Sequence, residues 1–491
     1  MMLRPPLWTV ETMAAAMRAA CIGALPEIIT GISIDTRTIA PGEAFFAIRG
    51  ENRDGHDFVE AALKAQAGLA IVDSRHRSRF AEDAPLLVVA DVLEGLRDLA
   101  RAARRRTQAK VIAVTGSVGK TSTKEALRLA LGGHGETHAS VASYNNHWGV
   151  PLSLARCPAS ASFAVLELGM NHAGEIEPLT RLARPHVGII TAVAPVHLEF
   201  FGSVEAIADA KAEIFLGVEP GGAAVINRDS DHFDHLRRSA ERAGVARIIS
   251  FGEGVDADAR LTACSLGPDG SEVSARVLGT DLSYRIGAPG RHLALNSLAV
   301  LAASALVGAD LKRAALALAG FRAARGRGAQ TALDVSGGSI LLIDESYNAN
   351  PASMRAALAL LGQASPGTRG RGRGSALGRR IAVLGDMLEL GPEARELHRA
   401  LAETIDAHGI DLVYCCGPLM RALWEALPSR RRGAYSETAK DLQDRLLGGV
   451  EAGDVVMVKG SLGSRMGGIV AALEQSASRE PLAQAASGRR P

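Results

Sequence analysis

The sequence predicts an α/β protein of three domains. A small N-terminal α/β unit precedes a central, mainly parallel sheet carrying a phosphate loop (P-loop), and a second α/β unit follows. Three observations lead there. Short β-branched apolar runs alternate with helical stretches along most of the 491 residues, the pattern of parallel sheets with helices on both faces. The run VIAVTGSVGKTSTKEAL, Val111 to Leu127, passes from a buried strand through a glycine loop into a helix. Polar clusters follow directly after strands, at the carboxyl ends where such sheets bind ligands. Length alone suggests about three domains; the basic stretch before the phosphate-loop strand and the second set of strands from about Arg325 divide the chain at 1–106, 107–324 and 325–491.

Composition narrows the function. With 47% hydrophobic and 22% charged residues, the chain can bury several cores. A net charge of +2 excludes a dedicated nucleic-acid binder, which carries a strong basic excess. Cys21, Cys157, Cys264, Cys415 and Cys416 lack metal-ligand spacing and are too few for a disulfide framework, so they fit a reducing compartment. The first residues hold no basic region followed by an apolar run, and no uncharged apolar stretch approaches ~18 residues. A cytoplasmic protein without membrane insertion is expected.

In the first hundred residues, Ala44 to Ile48, Leu69 to Asp73 and Leu86 to Asp91 read as strands, and Phe58 to Ala67 as a helix. The stretch SIDTRTIAPGEAFFAIRGENRDGHDF is dense in Asp, Arg, Gly and His around one strand. Two readings stand level: a polar loop turning at Pro41-Gly42, or a site where Arg37 and the Gly50 loop offer donors to a phosphorylated or sugar-bearing ligand. Arg101 to Gln108 reads as a basic, polar linker.

The phosphate loop follows. Val111 to Val114 forms the strand, and Gly116-Ser117-Val118-Gly119 cannot continue it, since two glycines in four residues free the backbone for a tight turn. The backbone N–H groups of the loop and the helix start face an anion. Lys120 neutralises β/γ oxygens, and the Thr121 hydroxyl can sit on Mg²⁺. The common G-x-x-x-x-G-K spacing would place its first glycine at Val114, so this is a shortened G-x-x-G-K-T loop. It predicts binding of a nucleoside triphosphate. Phe163 to Leu168, Val187 to Val193 and Ala223 to Ile226 are the next strands. Glu167 ends the first, His197 follows the second, and Asn227-Arg228-Asp229 follows the third.

Ser203 to Gly217 reads as a helix with Ser203 as N-cap. Val204, Ile207, Ile214 and Phe215 share one stripe with Lys211. A lysine there must snorkel outward, pair with an acid or lose its charge, and snorkelling is the ordinary outcome. From about Arg325 the strands are Ser339 to Ile343, Arg380 to Leu384, Leu412 to Cys415 and Asp454 to Val458. They are followed by DESYNANP from Asp344, GDMLELG from Gly385 and KGS from Lys459. PGTRGRGRGSALGRR, residues 366–380, reads as a solvated loop insertion in preference to an RGG-like nucleic-acid contact. The tail after Glu474 reads as frayed.

These clusters, in this order, resemble the Mur ligases, the ATP-dependent amide-forming enzymes of peptidoglycan assembly. The likeness runs from about Ile34 to Met466 through TGSVGKTS, SYNNHWGVP, ELGMNHAGEI, HLEFFGS, AKAEIF, INRD, GRHLALNSLA, DESYNANP, LGDMLELG and VKGS. The shortened loop is the family's own form. YNANP with GDMLELG resembles the branch that adds D-alanyl-D-alanine to UDP-N-acetylmuramoyl-tripeptide. The chain departs from the family at His292-Leu293, where His-Asn is usual, and in the Arg/Gly insertion.

The resemblance implies a Rossmann-like C-terminal domain, a monomer, ATP and Mg²⁺ as cofactors, and a role for each cluster. Gly116, Ser117, Val118, Gly119, Lys120, Thr121 and Ser122 would hold the phosphates, and Thr121 and Glu167 one Mg²⁺. His197 and Lys211 would place a second Mg²⁺, the lysine as a carbamate; on pattern alone His197 is a core histidine. Asn296 resembles an adenine-side contact. Arg327 resembles the hinge arginine that meets phosphate, with Arg325 as its rival. Asp344, Tyr347 and Asn348 would close over the nucleotide, while Asn350, His398, Lys459 and Ser461 line the dipeptide side. Asp35, Arg37, Gly50, Asp54, Gly55 and His56 would receive the UDP-sugar end. The alternatives are a diaminopimelate-adding Mur ligase, a folylpolyglutamate-type ligase and a non-ligase P-loop NTPase. The unit before the phosphate loop weighs against the folate enzyme, and the lack of an Asn-Lys-x-Asp loop against a GTPase.

Overall fold

The computed structural model describes residues 6–196, 198–267, 269–368 and 377–487, with no side-chain account beyond 478. His197 and the arginines 369, 371 and 373 lie outside the described residues. Among those described, three larger sheets of five, nine and six strands follow one another along the chain.

The central sheet runs, edge to edge, Thr280–Ile286, Gly270–Val277, Ala259–Gly267, Arg247–Gly252, Ala223–Asn227, Val187–Ile190, Lys110–Thr115, Phe163–Glu167 and Thr137–Ala139. It is parallel from Ala259–Gly267 to Thr137–Ala139, and the two remaining pairings are antiparallel. The phosphate-loop strand sits deep inside it, and period-two alternation splits its side chains between two cores. Ile112 and Val114 pack with Leu127 and Leu131 of the helix Lys120–Gly132 and with the helix Arg291–Leu306. Val111 and Ala113 pack on the other face with Val150, Ile176, Ile207 and Phe215. The hairpins of residues 259–286 were not expected. Their strands alternate buried and exposed residues, with Val273, Ala275, Leu282 and Tyr284 turned to the Arg291–Leu306 helix.

The N-terminal sheet orders Ala20–Ile22, Leu86–Val89, Leu69–Asp73, Glu43–Phe46 and Gly31–Ser33. The expected linker at 101–108 is instead largely the last turns of the helix Val92–Arg106, capped by Asp91. This helix packs Leu96, Leu99 and Ala103 on the N-terminal core, which also takes in Leu152 and Ala155 of the central region. Two of its arginines are structural. Arg104 donates to the Ala183 and Arg184 carbonyls, both at 2.8 Å. Arg106 donates to the Leu7 and Cys157 carbonyls, with its guanidinium 3.3 Å from the Trp8 ring centre. Basic residues at this helix end satisfy carbonyls across the junction, so composition alone misread them.

The C-terminal sheet orders Ala329–Val335, Gly338–Glu345, Val455–Lys459, Arg380–Gly385, Leu412–Cys416 and Arg432–Ser436, with only the first pairing antiparallel. The tail expected to fray continues the helix Gly467–Ser487, anchored by Ile469, Val470 and Leu473 in the core. No helix among the described residues is long and apolar enough to cross a membrane.

Candidate active site

Register places the phosphate loop between two strand ends. Glu167 pairs with Val114, and Ile190 with Thr115, so the loop leaves the sheet flanked by Glu167 and Thr191. Gly116 has φ 147°, and a Cβ there would lie 2.0 Å from Thr191 Oγ1. Gly119 has φ 87°, and a Cβ there would meet Asn296 Nδ2 at 2.6 Å. Both positions therefore require glycine. Thr191 Oγ1 donates to the Val118 carbonyl at 2.6 Å, and Ser117 Oγ to that of Ala194 at 3.0 Å, which fixes the loop against the neighbouring strand end.

Lys120 opens the helix and folds back to donate to the Gly116 carbonyl at 2.5 Å. Burial holds its ammonium below the usual lysine range; Glu167 opposes that shift and Arg327 adds to it. Thr121 Oγ1 donates to Glu167 Oε2 at 2.8 Å, and Asn145 Nδ2 to Glu167 Oε1 at 2.8 Å. Glu167 ends its strand as expected and is 0% exposed. The Glu167 carboxylate and the Thr121 hydroxyl beside it form a donor set that suits a hard divalent cation. Asn145 lies in the quoted SYNNHWGVP stretch, yet nothing in its spacing tied it to Glu167.

Lys211 does not snorkel. The helix Val204–Ala212, capped by Ser203 with 3.1 Å to Ala206 N, passes into a 3₁₀ turn Glu213–Gly217 and leaves Lys211 2% exposed. Burial and the nearby Lys120 charge push its ammonium well below the usual lysine range. Two residues on, Glu213 accepts from the N–H groups of Gly174, Ile176 and Glu177 at 2.6, 3.0 and 3.0 Å, holding the ELGMNHAGEI loop.

Across from the phosphate loop stands the C-terminal sheet, and the two enclose a cleft of about 310 Å³. Ser117, Lys120, Asn145 and Glu167 line one side; Arg327, Tyr347, Asn348, Asn350, Leu388 and Ser461 line the other. The two candidate arginines separate cleanly. Arg327 donates to Ser143 Oγ at 2.9 Å and lies 4.2 Å from the Tyr347 ring centre. Arg325 turns away and pairs with Glu474 at 2.6 Å.

Several expected ligand contacts are occupied within the protein. Asp344 accepts from Gly326 N at 2.7 Å and from Ser346 N and Oγ, so it shapes the crossing segment. Asn350 Oδ1 caps the helix Pro351–Gln363 through Ser353 N at 2.9 Å. Lys459, 2% exposed, donates to Glu345 and to the Asn348 carbonyl. Ser461 Oγ accepts from Leu388 N at 3.0 Å. His398 does not line the cleft. Its Nδ1–H donates to the Ala394 carbonyl at 2.6 Å and its Nε2 accepts from Met387 N at 2.9 Å, which pins the GDMLELG loop from behind.

Asp35, Arg37, Gly50, Asp54, Gly55 and His56 do not line this cleft; they lie in loops and a 3₁₀ turn, Gly55–Phe58, of the N-terminal unit. Arg37 reaches into solvent and pairs with Asp35 at 2.7 Å. His56 is turned inward at 3% exposure, its Nδ1 2.6 Å from Asp54 Oδ1 while Nε2 accepts from Asp73 N at 3.1 Å. It stacks on His76 with ring centres 4.0 Å apart. His56 thus orients Asp54 rather than facing a ligand. The segment joining the two regions is Ser143-Tyr144-Asn145: Tyr144 packs on the N-terminal core, and its neighbours bond Arg327 and Glu167.

Comparison with known proteins follows the same three parts. Residues 28–104 match the model of the Mur ligase family catalytic domain, 114–304 the Mur ligase middle domain, and 333–462 the Mur ligase glutamate ligase domain. The UDP-N-acetylmuramoyl-tripeptide–D-alanyl-D-alanine ligase of Escherichia coli is 34% identical over 449 residues, covering 91% of this chain and 94% of that one. A MurF crystal structure from Acinetobacter baumannii superposes with a TM-score of 0.80 at 30% identity, covering 96% of this chain and all of that one. A MurF ligase from Thermotoga maritima, solved with ADP, gives 0.74 at 25% identity over 91% and 98% of the two chains. A likeness that spans all three sheets and the cleft between two of them leaves one assignment: the chain belongs to the Mur ligase family.

Proposed function

We propose that this protein is an ATP-dependent ligase that joins D-alanyl-D-alanine to UDP-N-acetylmuramoyl-tripeptide in the cytoplasmic stage of peptidoglycan synthesis, acting as a monomer. The observation that carries the reading is the cleft itself. Lys120 and Glu167, the latter bonded by Thr121, line one side of it and Arg327, Tyr347 and Asn348 the other, within a chain alike throughout to enzymes named for that reaction.

The chemistry needs a poor leaving group made good. The tripeptide's terminal carboxylate attacks the γ-phosphorus of ATP, giving an acyl phosphate and ADP. The dipeptide amine then adds to the acyl carbon and loses a proton, and phosphate leaves with its bonding pair. Positioning and charge neutralisation supply most of the rate. Lys120, the loop N–H groups of 116–122 and Arg327 would hold the transferring phosphoryl group, and Asn296 the adenine side. Thr121 and Glu167 would hold one Mg²⁺, which screens the phosphate charge. The N-terminal sheet around Asp35, Arg37 and the Gly50–Gly55 loop would take the UDP-sugar, with the 143–145 segment lying between it and the cleft. Closure of the C-terminal domain about 323–328 would exclude water from the acyl phosphate. The domain division at 106/107 and 324/325 follows from the same reading.

Lys211, as a carbamate, and His197 would hold a second Mg²⁺. A neutral amine adds to CO₂ and releases a proton, and the buried, depressed Lys211 amine is suited to that step. Lys211→Ala should be nearly inactive and partly restored by acetate; a bare amine in a metal-loaded crystal structure would defeat the assignment. For the activity, phosphate release is measured with ATP, UDP-N-acetylmuramoyl-tripeptide and alternative amines. Turnover is expected with D-alanyl-D-alanine alone; equal turnover with diaminopimelate or glutamate would overturn the reading.

A further inference from the structure

One lysine in the central sheet region is more deeply buried than any reading of the sequence assigned. Lys124 lies one helical turn after Lys120 and is 0% exposed. An ammonium at such depth is costly unless every N–H finds an acceptor, and here three acceptors surround it. Nζ lies 2.7 Å from the Ser140 carbonyl, 2.7 Å from the Ala142 carbonyl and 2.9 Å from Glu125 Oε1. Glu125 is itself partly buried, yet hydrogen bonds from Lys124 and Arg128 hold its carboxyl below the usual range.

The two carbonyls lie just before the segment 143–145, whose residues meet Arg327, the N-terminal core and Glu167. Ala142 has φ 48°, a left-handed conformation that a non-glycine residue keeps only when its surroundings hold it. Three residues on, Asn145 donates to Glu167 at 2.8 Å. Thr121, on the same helix as Lys124, donates to the other oxygen of that carboxylate at 2.8 Å. Glu167 is thus held from the helix by Thr121 and from the loop by Asn145, and Lys124 is the tie between helix and loop.

We propose that Lys124 is a positioning residue: it registers the Ser140–Asn145 loop on the phosphate-loop helix so that Asn145 and Thr121 hold the Glu167 carboxylate in its metal-binding orientation. This rests on Glu167 binding a divalent cation, and the experiment separates the two claims. Mn²⁺ binding in the presence of ADP is read by electron paramagnetic resonance, without turnover, in the full chain. Glu167→Gln is the control; if it binds Mn²⁺ as tightly as the unaltered protein, the metal reading itself fails.

Lys124→Met and Asn145→Ala are each expected to weaken Mn²⁺ binding about tenfold, the size of effect when an outer partner of a ligand is lost. Metal-free ADP binding should stay within about twofold, because the loop N–H groups are untouched. The double variant should be no weaker than either single one, since both changes act through one bond. Lys124→Gln, which retains an amide donor for one carbonyl, serves if the apolar variant does not fold. Unchanged Mn²⁺ affinity in a folded Lys124 variant, or additive losses in the double variant, would refute the proposal. A residue that merely supports the fold would lower the melting temperature and leave the metal titration where it was.

Discussion

Glu167→Gln is the sharpest test of the site, because it removes a charge while leaving the shape. The side chain is fully buried, with one oxygen accepting from Thr121 and the other from Asn145, both at 2.8 Å. A glutamine oxygen can still accept from Asn145, and its amide can donate to the Thr121 hydroxyl, so both contacts survive. Trading a charged acceptor for a neutral amide weakens two bonds, while relief of a buried charge offsets that loss. Stability without metal should therefore change by no more than about 1 kcal/mol. Glu167→Ala differs: it strands two buried polar groups at about 1–3 kcal/mol each and leaves a cavity, so a loss of about 3–5 kcal/mol is expected. Activity should follow the charge rather than the stability. Loss of a preorganised electrostatic group costs about 3–4 kcal/mol in the barrier, or roughly 10²–10³ in turnover, for both variants. Urea unfolding in chelator gives the first quantity, and phosphate release at saturating substrates gives the second. A glutamine variant that keeps more than about a tenth of the turnover, or one destabilised as much as the alanine variant, would show that Glu167 is a structural acceptor only.

Three further outcomes are expected. Arg327→Ala should lower turnover roughly 10²-fold or more if it stabilises the transferring phosphoryl group as proposed, whereas Arg325→Ala, which breaks only an exposed pair with Glu474, should leave turnover within about twofold; the reverse order in steady-state kinetics would misplace the cleft. Arg106→Ala should lower the melting temperature by several degrees, through the loss of two partly buried carbonyl contacts and the Trp8 stack, and calorimetry showing no shift would contradict the docking of the N-terminal sheet. Partial burial alone would raise the carboxyl groups of Asp54 and Asp73, but hydrogen bonds and charge from His56 and His76 hold both below 3.8. Depressed carboxyl groups stabilise the fold above the unfolded value and lose that effect as pH falls through the folded one. Asp54→Asn with Asp73→Asn should therefore flatten acid unfolding below about pH 4; superimposable acid titrations would count against the His–Asp cluster.

The phosphate loop was legible because its parts are contiguous: strand, glycines, Lys120 and Thr121 lie within one turn of each other, and local sterics decide where they point. The buried strands were legible for a similar reason, since β-branched runs such as VIAV are apolar on both faces and can only be interior. The paired strands of 259–286 carry their own alternation, which could have been read. What the sequence left open was decided by contacts between residues far apart. Arg325 and Arg327 lie two positions apart in one glycine-rich segment, and only the placement of Ser143 and Glu474 sends one into the cleft and the other out of it. Lys211 has the helical phase of a core residue, but a phase does not say whether a long side chain escapes, and the packing around it closes that route. His56 and His398 sit in motifs dense with polar residues. Their rings are committed to Asp54 and Asp73 in one case and to Ala394 and Met387 in the other, and those contacts exist only once the sheets are assembled. A single sequence encodes the donors and acceptors; which of them remain free for a substrate depends on which the folded chain has already used to satisfy its own buried polar groups.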